Sequence, residues 1–199
     1  KDEAFAYKDF FVVMNQARGV WECEFIYVGY GSPEETPDVR GKMVVSIAGS
    51  KEAKGVNQIY YSSSEKFERM QAAGAAGLIE IFASPQVPWP GIINYFTKNP
   101  RTTLKSETPV IPHLWMKQTE SQAMAELREQ KKSKGSLKIE RPASIRVPAK
   151  NVVGKIEGSD PVLRNEHIVV SAHYDHVGVG AKKQNDSIYN GARDNALGT

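Results

Sequence analysis

Apolar positions along the chain fall into two patterns. Short runs rich in β-branched and aromatic residues, at 10–14, 25–28, 43–47 and 78–82, are too short for helices and end at turn residues, which predicts strands. The run Met43-Val44-Val45-Ser46-Ile47 predicts a buried one. Gly29-Tyr30-Gly31, followed by Ser32-Pro33, predicts a turn. Helical spacing shows in two places. Ser62-Ser63-Ser64 offer N-caps for a helix carrying Glu65, Phe67, Met70 and Ala73, and Gly74 to Gly77 let it pack closely before the strand at 78–82. A second helix, over about 119–132, turns Ala123, Met124 and Leu127 inward and stops at Gly135, with Lys131-Lys132-Ser133-Lys134 as its solvated end facing the negative pole of the helix dipole. Between 84 and 112, Pro85, Pro88, Trp89, Pro90, Tyr95 and Phe96 predict an ordered, exposed loop without regular structure. That loop either overhangs a neighbouring site or plugs Trp89 and Phe96 onto its own domain. Residues 143–150 then cross over to a strand at 151–156, and the β-branched run at 168–170 predicts another.

Composition narrows the classes. The length of 199 residues suits one large domain or two small ones with a real core. A formal charge of +3, from 26 basic and 23 acidic residues, is too balanced for a nucleic-acid or membrane-surface binder, and the basic residues form no aromatic-interleaved stripe. The single cysteine, Cys23, excludes an intramolecular disulfide in this chain and reads as a small buried hydrophobe. No run approaches the ~18 apolar residues of a membrane span. Neither an internal repeat nor a low-complexity tract is present.

Candidate chemistry concentrates at the end of the chain. The run at 168–170 delivers His173 and Asp175 two residues apart, so an extended backbone turns both side chains to one face. An imidazole and a carboxylate so placed act together, one ligating a metal while the other holds the ring in the ligating tautomer. Asp194 follows on a turn, Asn190-Gly191-Ala192-Arg193-Asp194-Asn195. His113 reads as a packing or surface residue, His167 as exposed, and His176 as lining the rim of the His173 site. Ser171 with His173 does not make a serine-hydrolase pair, because residues two apart on a strand cannot approach as nucleophile and base and no GxSxG elbow is present.

Ala172-His173-Tyr174-Asp175 and the turn from Gly191 to Gly198 resemble the two signatures of the zinc aminopeptidases of peptidase family M28, an AHYD-like strand end and a GxxDNxxG-like turn. The resemblance implies a site with two Zn2+, in which His173 is a terminal metal ligand, Asp194 is the metal carboxylate bridging both ions, and Asp175 is the catalytic-site carboxylate that orients the His173 ring. It also implies a cis peptide between Asp194 and Asn195. Arg193 and Leu197 depart from the residues usual at their positions. The family's Glu-Glu pair, which supplies the general base, and a later Asp and His lie downstream of the turn, whereas Glu34-Glu35 lies far upstream. The chain is therefore expected to hold half of the site, as a fragment inactive by itself.

The succession VGYG, DVRGKMVV and GAAGLIEI, over roughly 25–110, resembles the protease-associated domain found beside M28 catalytic domains, and Asn151-Val152-Val153-Gly154-Lys155-Ile156 resembles the first strand of the catalytic fold. The expected fold is α/β: a protease-associated domain of mixed sheet or barrel with flanking helices over 1–142, followed by the first part of a zinc-peptidase sheet domain over 143–199. The implied activity is hydrolysis of a peptide substrate from its free N-terminus by a zinc exopeptidase, and the implied location is secreted or periplasmic. The rival reading is a non-catalytic, receptor-like homologue whose protease-associated domain mediates protein interactions.

Overall fold

The computed structural model describes residues 4–5, 9–84, 86–98, 110–140, 148, 150–173 and 175–195. The chain divides into two compact units, 1–144 and 145–199. Among the described residues of the first unit, six strands form one sheet: β1 (Phe11–Val13), β2 (Gly19–Tyr27), β3 (Met43–Ile47), β4 (Gly77–Phe82), β5 (His113–Lys117) and β6 (Lys132–Ile139), in the order β1-β5-β4-β3-β2-β6. The central strands β2, β3, β4 and β5 run parallel, and β1 and β6 close the edges antiparallel. Helices α1 (Val56–Ala72) and α2 (Trp89–Lys98) connect β3 to β4 and β4 to β5, and α3 (Gln122–Gln130) follows β5. The fold class is mixed α/β, as expected.

Strand alternation sorts the core into two layers. Met43, Val45, Ile79, Ile81, Leu114 and Met116 face one way and pack with Met124 and Leu127 of α3. Their neighbours face the other way, where Val44 and Leu78 meet Met70 of α1, and Phe82 and Trp115 meet Ile59 of α1 and Ile92 of α2. Helix α3 starts at Ser121, whose hydroxyl accepts a hydrogen bond from the Met124 N–H at 3.2 Å.

One charged group sits in the middle of this apolar layer. Glu80, 0% exposed on β4, accepts hydrogen bonds from Lys66 Nζ of α1 at 2.8 Å and from Trp115 Nε1 at 3.2 Å, and lies 2.9 Å from His113 Nε2. Lys66 also donates to the Ile47 carbonyl at 2.6 Å and to Ser46 Oγ at 3.3 Å. The Phe67 ring stacks on His113 with centroids 4.8 Å apart, so the packing role expected of His113 is the one observed. Burial alone would raise the Glu80 carboxyl, but the bond with His113 and the Lys66 charge outweigh it and hold the group below its usual range. Lys66 is also held below its ordinary value, because burial outweighs the attraction of Glu80.

Several expectations are corrected. Strand β2 begins at Gly19 rather than near 25, because 19–26 pairs antiparallel with 132–139 of β6. Residues 132–134 are accordingly edge strand, with exposed lysines that discourage pairing by another chain, and not a solvated helix end. Helix α3 stops at Gln130 with Lys131 in the left-handed conformation at φ 65°, and Gly135 faces the Phe25 ring instead of ending the helix. Helix α1 starts at Val56, and the three serines lie inside it: Ser63 accepts from the Gly49 N–H, while Gln58 Oε1 takes the Lys54 N–H at the helix start. The proline-rich stretch contains α2, because Pro90 stands in the first turn, where its missing N–H has no partner to lose. Trp89 and Phe96 pack on Phe82 and Trp115 of their own unit. Pro85 and residues 99–109 of that stretch lie outside the described residues. Cys23 is half-buried against the α3 layer rather than fully buried, and burial raises its thiol pKa, as fits an unreactive cysteine.

In the second unit, β7 (Gly178–Lys183) and β8 (Asp186–Tyr189) form an antiparallel hairpin that the apolar pattern did not suggest. Its turn uses Gln184 and Asn185 with φ 51° and 67°. The strands expected at 151–156 and 168–170 are absent: Ile156 is 97% and Ile168 95% exposed, and neither run joins a sheet among the described residues. The residue types are right for strands, but a strand exists only with a neighbour to take its backbone groups. A short 3-10 helix, Leu163–Asn165, separates the two runs. Residues 141–147 and 149 of the expected crossover lie outside the described residues, and no described helix of the chain is long and apolar enough to cross a membrane.

Candidate metal centre

The segment after Val170 and the turn before Asn195 meet in the second unit. His173 Nε2 stands 3.0 Å from Asp194 Oδ1, and His173 Nδ1 lies 3.5 Å from Asp175 Oδ1. The imidazole is thus flanked by a carboxylate on each side. His176 Nδ1 approaches the other oxygen, Asp194 Oδ2, at 3.6 Å. Tyr174 and residues 196–199 of the two motifs lie outside the described residues.

Local backbone geometry presents Asp194. The Asp194 N–H donates to the Gly191 carbonyl at 3.0 Å, closing the turn, and the Asp194–Asn195 peptide is cis, as the resemblance implies. Gly191 is required here: its φ is 67°, and a Cβ would stand 2.5 Å from the Cβ of His176 and 2.9 Å from the Asp194 carbonyl oxygen. A side chain at 191 would push apart two of the groups that the turn brings together. His176 is partly buried against this glycine, beside the His173–Asp194 pair. His167 is exposed, as expected, and so is Arg193. Glu35, of the upstream acidic pair, is engaged with Lys51 Nζ at 3.0 Å in the first unit.

An imidazole and a carboxylate are donor types that zinc takes. With bonds of about 2.0–2.2 Å and a tetrahedral angle, two such donors on one zinc would stand about 3.3–3.6 Å apart, so the 3.0 Å between His173 Nε2 and Asp194 Oδ1 is a hydrogen-bond separation that would widen around an ion. Two donors do not complete a site, and no group of three His, Cys, Asp or Glu able to hold a metal occurs among the described residues.

Residues 151–199 match the family model described as peptidase family M28. The segment that holds His173 and Asp194 is thus similar to peptidase family M28, the family that its motifs resemble. No curated protein matches it. Among solved structures, the chain is similar to an aminopeptidase from Aneurinibacillus sp. strain AM-1, at 12% identity and a TM-score of 0.34, over 64% of this chain and 32% of that one. The chain thus spans about a third of the length of that aminopeptidase.

Proposed function

We propose that this chain contributes the opening half of the metal site of a zinc-dependent exopeptidase, an aminopeptidase working with two zinc ions, and that 1–142 is a protease-associated domain accompanying it. The observation that carries the reading is the convergence of His173 Nε2 and Asp194 Oδ1 at 3.0 Å across the turn that contains the cis peptide. His173 would offer Nε2 as a ligand, because Asp175 beside Nδ1 favours the tautomer that keeps its proton there. Asp194 would bridge, its two oxygens already facing different imidazoles. His176 would line the rim. When bound, zinc supplies an acidified water and polarises the scissile carbonyl. No residue of this chain is assigned as the base that takes the water's proton. The substrate is a peptide with a free N-terminus, and the location that fits is extracellular or periplasmic.

The test is zinc content measured beside hydrolysis of an aminoacyl-nitroanilide for the protein that carries this chain. Asp194→Asn should abolish both, because an amide cannot bridge two cations. Asp175→Asn should lower metal affinity by about 10–100-fold. His176→Ala should matter least. A His176 variant as metal-free and inactive as the Asp194 one would reassign the ligands.

A further inference from the structure

The first unit has a crevice at the carboxyl ends of β4 and β5, and its origin is topological. The chain leaving β4 at Phe82 goes to α2, which packs on the layer of Phe82 and Trp115. The chain leaving β5 at Lys117 goes to α3, which packs on the opposite layer, with Ile81 and Met116. Adjacent parallel strands whose onward connections part to opposite faces leave an opening between them, and this is where open α/β sheets take their ligands. A cavity of ≈ 420 Å³ lies at that point, lined among others by Phe82, Ser84, Val87, Trp89, Lys117 and Gln118. Its volume is within the range of small-molecule sites, about 300–1,000 Å³.

The lining specifies a chemistry. Phe82, Val87 and Trp89 make an apolar wall, and none of the described lining residues is acidic. Lys117 is a cation that donates only, and Gln118 adds an amide. Trp89 Nε1 is withdrawn from water and has no hydrogen-bond partner among the described residues, so it is a donor that gains from an acceptor. The site offers donors and an apolar surface and asks for an acceptor-only anion with an apolar body. We propose that this crevice binds a small apolar carboxylate, either a free acid of amino-acid size or the C-terminal residue of a peptide.

The test uses 3-phenylpropionate, its uncharged amide, and a peptide ending in Phe with a free or amidated C-terminus, titrated into the 199-residue chain labelled with 15N. The chain has three tryptophans, so the Trp89 indole cross-peak is assigned by its loss in Trp89→Phe. The proposal expects the acid to move the Trp89 peak and leave those of Trp21 and Trp115, the amide to fail, and Lys117→Met to weaken binding of the acid at least about tenfold, the ratio that separates 1.4 kcal/mol. The free-carboxylate peptide moving the same peak identifies a chain terminus as the ligand, and the acid alone doing so identifies a free metabolite-sized acid. No shift at millimolar acid, equal shifts with acid and amide, or unchanged affinity in Lys117→Met would each overturn it.

Discussion

Replacing Glu80 by Gln tests the most unusual feature of the first unit, because it removes one charge and almost no volume. In the native chain the carboxylate serves three donors, Lys66 at 2.8 Å, His113 at 2.9 Å and Trp115 at 3.2 Å. Gln keeps one acceptor and adds a donor among donors, leaving the Lys66 ammonium, whose side chain is 4% exposed, without a counter-charge. Removing one partner of such a pair costs about 3–5 kcal/mol. Lys66 keeps the Ile47 carbonyl and Ser46 hydroxyl, which places the loss at the lower end, about 3 kcal/mol, or roughly a 10 °C fall in Tm for a unit of this size. The sign with pH is also fixed. Without Glu80 the lysine binds its proton less tightly folded than unfolded, so the variant's deficit shrinks as pH rises and the neutral amine becomes available. Urea unfolding followed by tryptophan fluorescence at pH 7 and pH 9, for Glu80→Gln, Lys66→Met and the double variant, measures this. The double variant should recover at least about 1.5 kcal/mol relative to additivity. A Glu80→Gln loss under about 1 kcal/mol, or strict additivity, refutes the reasoning.

Three further outcomes are expected. In the wild-type chain, Glu80 is held below its usual 4.5, so its contribution is present above that pH and lost as pH falls through the lower folded value; acid unfolding monitored by circular dichroism should steepen below about 4.5, and Glu80→Gln should flatten that limb. Trypsin should cut at Lys155 or Arg164, among exposed apolar residues outside any sheet, before it cuts at Lys66 inside α1; mass spectrometry of early digests would show the reverse if the second unit were the better ordered. Ser121→Ala should destabilise the first unit by about 1 kcal/mol through loss of the α3 cap, read from the shift in urea midpoint at unchanged slope.

What the sequence made legible was local. Strands β3 and β4 announced themselves as runs of mostly apolar residues, each with one polar position, Ser46 and Glu80, and the candidates His173, Asp175 and Asp194 stood out because their spacing and the Gly191 turn are short-range features. What it hid depended on distant partners. The lysine-bearing strand β6 is a strand only because β2 lies beside it, and Glu80 is buried only because α1 and β5 bring Lys66, His113 and Trp115 to it. Helix α2 was obscured by prolines whose position in the first turn makes them harmless, and the β7–β8 turn by Gln184 and Asn185 taking a conformation for which glycine is the usual signal. The runs at 151–156 and 168–170 erred in the opposite sense, having strand composition without a neighbouring strand.

The central claim is that His173 and Asp194 share a zinc ion. Anomalous diffraction at the zinc edge, on crystals of the protein that carries this chain, tests it most directly. The account predicts a peak about 2.0–2.2 Å from both His173 Nε2 and an Asp194 oxygen, with a second peak on the other oxygen of Asp194. Zinc bound elsewhere in a protein that hydrolyses peptides, with His173 and Asp194 still hydrogen-bonded to each other, would contradict it.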